Sequence, residues 1–86
     1  MYKLLIAKKV KKFIVSRPKK EQIRIVEKFE LLQQNPFAKE LDVKPFQSKL
    51  ENCYRLRIGQ NRFIYEVKND ELIINMFDGN KRGDIY

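Results

Sequence analysis

Histidine, the commonest general acid and base, is absent from this 86-residue chain, so its single cysteine, Cys53, has no imidazole to activate it. Cys53 therefore reads as a small buried apolar residue. The residues left for chemistry are Arg55, Arg57, Arg62, Phe77 and Tyr86. A guanidinium presents a planar fork of donors that fits a phosphate, and an aromatic ring stacks on an unpaired base. Together they suit a reaction that needs no imidazole. The 2′-hydroxyl of RNA attacks the adjacent phosphorus, while the protein positions the strand and stabilises charge growing on the phosphoryl oxygens. Tyr86 can give or take a proton where nearby cations lower its pKa; the alternative is a terminal aromatic tucked into the core. No carboxylates cluster in the sequence, so neither a metal nor another cofactor is expected.

Such a site needs strands, because side chains along a strand alternate between two faces. Tyr54, Leu56 and Ile58 alternate with Arg55 and Arg57; Phe63, Tyr65 and Val67 alternate with Arg62, Ile64 and Glu66; Leu72, Ile74 and Met76 alternate with Ile73, Asn75 and Phe77. Gly59-Gln60 fits a two-residue II′ turn, which pairs Ile58 with Asn61, Arg57 with Arg62 and Leu56 with Phe63. A tight turn at Asn69-Asp70 would pair Lys68 with Glu71, Tyr65 with Ile74 and Arg62 with Phe77. Both registers gather the apolar residues on one face, and a one-residue slip would scatter them. Arg57 and Arg62 then stand opposite each other on the polar face. Like charges so placed are destabilising, a conflict that points to an anion between them. The alternative is a solvated face whose arginines pair with Glu66 or with the C-terminal residues.

Ahead of the meander, Tyr2 to Ala7 reads as a first strand. Val10, Phe13 and Ile14 are spaced as on a helix, which Arg17-Pro18 ends. Pro18 suits the first position of a second helix running to about Gln34, with Ile23, Val26 and Phe29 as its buried stripe and Ile25, Leu31 and Leu32 beside it. Asn35-Pro36 stops that helix, and Phe37 to Glu51 reads as a loop anchored by Leu41, Val43, Phe46 and Leu50. The expected fold is α+β: an N-terminal strand, a helical hairpin, then an antiparallel meander, as a single domain over residues 1–86.

Charge is divided unevenly. Residues 1–28 carry ten Lys and Arg against Glu21 and Glu27, while residues 29–86 carry nine of each sign, so the net +8 resides in the first third. A basic hairpin suits a polyanion, nucleic acid being the usual one, and Lys8, Lys9, Lys11, Lys12, Lys19 and Lys20 are the candidates for gripping it. The alternative is a lysine-rich face that serves solubility. The apolar run Leu4 to Ala7 is too short for a signal-peptide core or a membrane span, and a lone thiol fits the cytoplasm.

The segments Leu50-Glu51-Asn52-Cys53-Tyr54-Arg55-Leu56-Arg57-Ile58-Gly59 and Asn61-Arg62-Phe63-Ile64-Tyr65-Glu66-Val67, with the closing Lys81-Arg82-Gly83-Asp84-Ile85-Tyr86, resemble the RelE/ParE toxin superfamily. The order of elements resembles that family over essentially the whole chain. The resemblance implies a type II toxin that cleaves mRNA in the ribosomal A site, leaving a 2′,3′-cyclic phosphate. Arg62, Arg82 and Tyr86 would be catalytic, and Arg55, Arg57 and Lys81 would hold the substrate, joined by Phe77, which the register rather than the resemblance places there. Arg55 and Arg57 stand where the best-known member has lysine, and Lys81 stands where some relatives have histidine. Arginine does not act as a base near neutrality. The resemblance also implies an antitoxin partner that folds on binding. The ParE branch implies a gyrase inhibitor instead, and a third reading is a nucleic-acid-binding module without activity.

Overall fold

A computed structural model describes residues 1–81. Seven elements follow in order: β1 (Lys3–Ile6), α1 (Lys8–Val15), α2 (Lys19–Gln34), β2 (Asp42–Pro45), β3 (Cys53–Ile58), β4 (Asn61–Lys68) and β5 (Ile73–Lys81). The strands form one mixed sheet in the order β1-β5-β4-β3-β2. β1 runs parallel to β5, and the other neighbouring pairs are antiparallel. This is the α+β arrangement expected from the sequence, with one more strand.

Both helices cover one face. Val10 of α1 and Ile25, Phe29 and Leu32 of α2 pack on Leu56, Ile58, Phe63, Tyr65, Val67, Ile74 and Met76 of the sheet. Phe63 is the centre of this layer, fully buried and in edge contact with Phe13 (6.0 Å between centroids) and Phe29 (5.1 Å). Gly79 lies where a Cβ would stand 3.0 Å from the Phe63 ring, so β5 approaches the core closely at that point. Two polar clamps fix the hairpin. Gln22 Nε2 donates to the carbonyls of Val15 and Arg17, and Tyr2 and Gln33 bond each other, tying β1 to the end of α2.

Four sequence expectations need correcting. The buried stripe of α2 is Ile25, Phe29 and Leu32, at i, i+4 and i+7, whereas Ile23 and Val26 are more than half exposed. With apolar residues on both sides of the helix, spacing alone did not say which side meets the sheet. Pro18 caps α2 and does not begin it. The supposed loop contains β2, a four-residue edge strand on β3, and Leu50 within it is exposed. The turn between β4 and β5 spans residues 69–72, with Leu72 left-handed (φ 55°) and its N–H bonded to the Asn69 carbonyl. That longer turn moves β5 by two residues, so Lys68 faces Ile73 and Tyr65 faces Met76. A shift of two keeps every side chain on its face, which is why hydrophobic alternation did not exclude the shorter turn.

Candidate phosphate-binding face

The β3–β4 register agrees with the sequence reading: Arg57 pairs with Arg62, Leu56 with Phe63 and Ile58 with Asn61. Gly59 is left-handed (φ 63°), as the first residue of a II′ turn requires. Since Leu56, Ile58 and Phe63 point to the helices, Arg57 and Arg62 point the other way. Cross-strand pairing extends their row in both directions, giving Asp42, Arg57, Arg62 and Asn80 on β2, β3, β4 and β5. The parallel row holds Lys44, Arg55, Ile64 and Asp78.

The three arginines of this face are not equivalent. Arg55 Nη2 lies 3.2 Å from Asp42 Oδ1, with only 11% of its side chain exposed. It is neutralised within the sheet. Arg57 and Arg62 have no carboxylate in ion-pair range among the described residues, and both Nε atoms are buried without a hydrogen-bond partner. Asn80 Oδ1, in the same row, is likewise buried and unpartnered. Buried polar groups are almost always bonded, so two unpaired donors and one unpaired acceptor in a single row mark a place for a polar ligand. The two cations set its sign as negative.

Phe77 does not stand beside Arg62. The shifted register and a bulge at Ile64/Tyr65 make Phe77 the extra residue between Met76 and Asp78, and Asn80 takes the position opposite Arg62. Lys81 is exposed and pairs with Asn61, whose amide donates to Glu21 Oε1 on α2 at 2.9 Å. The register therefore assigns Lys81 to the helix side of the sheet. Arg82 and Tyr86 lie outside the described residues. Lys8, Lys9, Lys11, Lys12, Lys19 and Lys20 are all exposed on the helical hairpin, Lys9 reaching Asp78 at 3.2 Å. They lie on elements that cover the opposite side of the sheet from the arginine row.

Asp42 and Asn80 were missed in the sequence. Asp42 belongs to a strand ending in proline and too short to show alternation. Asn80 follows Asp78-Gly79, a pair of turn formers that masks the end of β5. Cys53 is buried, its sulfur 3.6 Å from Ser48 Oγ and 3.9 Å from the Glu51 carbonyl, and among the described residues it bonds to no basic group. Burial, with Tyr54 nearby, pushes the Tyr65 hydroxyl well above the ordinary tyrosine range, against a smaller opposing effect of Arg55.

No protein-family model and no curated protein sequence matches the chain. Solved structures do. A chain of the archaeal RelE–RelB complex from Pyrococcus horikoshii superposes with a TM-score of 0.84 at 29% identity, covering 96% of this chain and 97% of its own. One from the RelB–RelE complex of Methanococcus jannaschii gives 0.74 at 28% identity, covering 95% and 94%. The isolated E. coli RelE toxin gives 0.74 at 14% identity, covering 100% and 92%, a likeness of fold alone.

Proposed function

Starting from a chain that carries the fold of the RelE-like toxin superfamily over nearly its whole length, we propose that it is the toxin of a toxin–antitoxin pair and cleaves messenger RNA in the ribosomal A site. The observation that carries the reading is the Arg57–Arg62 pair: two opposed guanidinium groups, half-buried, with unpaired Nε donors and no counterion among the described residues. A scissile phosphate supplies the missing charge. The ribose 2′-hydroxyl gives up its proton and attacks phosphorus, the P–O5′ bond breaks with the 5′-oxygen of the next nucleotide taking up a proton and leaving as a hydroxyl, and a 2′,3′-cyclic phosphate remains. Arg62 and Arg57 stabilise the doubly charged phosphoryl oxygens; Arg55, held by Asp42, shapes the flank. Arg82 and Tyr86 complete the set, the tyrosine orienting the nucleotide and assisting the 2′-OH proton. The exposed hairpin lysines hold ribosomal RNA from the other side. The protein works in the cytoplasm, and an antitoxin that folds on binding restrains it, as RelB accompanies RelE in the similar complexes.

The test is single-turnover cleavage on programmed ribosomes, read by primer extension. Discrete A-site cuts are expected, with Arg62→Ala and Arg82→Ala each slower by roughly 10²–10³-fold, as for other preorganised donors. Full activity in both variants would remove the phosphate site. Inhibition of gyrase supercoiling without any cleavage would assign the chain to the gyrase-directed branch.

A further inference from the structure

Arg57 and Arg62 offer donors, but the third unpaired atom of their row, Asn80 Oδ1, is an acceptor. A phosphate is itself an acceptor and leaves that atom unsatisfied. The ligand that completes the row must bring a hydrogen-bond donor next to its anionic oxygens. In RNA each 3′-phosphate has such a neighbour, the 2′-hydroxyl of the same ribose; in DNA it has none. We propose that Asn80 is a specificity-determining residue: its side-chain carbonyl accepts from the 2′-hydroxyl of the nucleotide whose phosphate lies on Arg57 and Arg62, so that the row distinguishes RNA from DNA. The inference rests on the phosphate-binding reading of this face.

Three features support it. Asn80 is the Cα partner of Arg62, as Arg57 is on the other side, so the three side chains rise from adjacent strands on one face. Adjacent strands are ~4.8 Å apart, close to the distance between a phosphate and the sugar hydroxyl beside it. In addition, the Ile64/Tyr65 bulge is what sets the pairing of Asn80 with Arg62, since it shifts β5 one residue beyond its inner register.

Fluorescence anisotropy of the full chain tests this, with single-stranded oligonucleotides of one base sequence made as RNA, as DNA and as 2′-O-methyl RNA, and strand integrity checked by gel. RNA should bind roughly 3- to 10-fold tighter than either of the others, the range of one added hydrogen bond, because the methyl ether keeps the oxygen but not the donor. Asn80→Ala should bring RNA down to the DNA value and leave DNA unchanged. Arg62→Ala should weaken all three alike. Equal affinity of the unaltered chain for RNA and 2′-O-methyl RNA would overturn the role of Asn80 alone, and that comparison stands even if the Asn80 variant does not fold. Arginine variants that bind all three oligonucleotides normally would overturn the phosphate face, and this inference with it.

Discussion

If Arg57 and Arg62 face each other without a counterion, removing one charge should make the protein more stable. Arg62→Met is the suitable change, since it keeps an unbranched stem on the half-buried face and removes the guanidinium. Residues directly opposite in an antiparallel pair have Cα atoms about 4.5–5.5 Å apart, which puts the scale of separation for two side chains running side by side at roughly 6 Å. Two like charges at that distance repel by ~0.7 kcal/mol in a water-like medium and by ~3 kcal/mol at the lower dielectric typical of a protein surface. The substitution also deletes a buried, unpartnered Nε–H, a defect of roughly 1–3 kcal/mol. Against these gains stands a small loss of packing along the stem. A net gain of about 1–2 kcal/mol is expected, which for a domain this size raises Tm by about 5–15 °C. Circular dichroism melts at low and high salt would measure it. The unaltered protein should close much of the gap at ~0.5 M salt, where counterions screen the pair. Arg57→Met should behave alike, and the double variant should gain less than the two singles combined, because the repulsion is removed only once. A lower Tm for Arg62→Met would mean that the guanidinium is held by the protein itself, and the argument for an anion on this face would fail.

The hairpin charge gives a second expectation: Lys8, Lys9, Lys11 and Lys12 changed together to Glu should weaken ribosome binding and flatten its salt dependence with the far-UV spectrum unchanged, since the only ion pair sacrificed among the described residues is the exposed Lys9–Asp78 contact; co-sedimentation across a salt series reads both. Gly79→Ala places a methyl 3.0 Å from the Phe63 ring and 3.4 Å from Val10, and should cost about 1–3 kcal/mol in urea unfolding through overpacking. Tyr65 should titrate above the ordinary tyrosine range in a spectrophotometric titration of the folded chain. Its folded pKa is raised by burial, so its contribution to stability is fully present below the unfolded value of ~10 and declines as pH rises past it; Tyr65→Phe should flatten that alkaline decline.

The part of the candidate site that was legible in the sequence is the part governed by local rules. Gly59-Gln60 fixes a two-residue turn, the turn fixes the register, and the register places Arg57 against Arg62. The far side of the sheet was less legible because its turn is not of the two-residue kind. Asn69 to Leu72 closes through a left-handed leucine, a conformation that side chain disfavours and no sequence rule anticipates. The bulge after Met76 then moves the end of β5 by one more residue, so Phe77 gives way to Asn80 beside Arg62. Both events are tertiary. β1 and α1 hold β5 at its inner half, and Phe63 against Gly79 holds it at its outer half; the bulge reconciles the two. β2 was hidden for a similar reason. Asp42 to Pro45 has one apolar residue before its proline, and it is a strand because β3 offers it an edge.

That edge strand bears on how the arginine face works. Asp42 is the Cα partner of Arg57, yet its carboxylate pairs diagonally with Arg55. A carboxylate that paired straight across would have neutralised one member of the opposed pair and left an isolated cation. The diagonal contact instead fixes Arg55 at the flank and leaves Arg57 and Arg62 as an uncompensated pair. On the proposed reading the chain has no imidazole and uses arginines that do not deprotonate near neutrality. Its rate enhancement must therefore come from charge that is already in place when the phosphate arrives. An opposed pair supplies that charge at the cost of folding stability, repaid when the substrate binds. The same arithmetic gives an inhibitor its opening. An antitoxin segment that sets one carboxylate between Arg57 and Arg62 would stabilise the toxin and fill the phosphate position in a single contact.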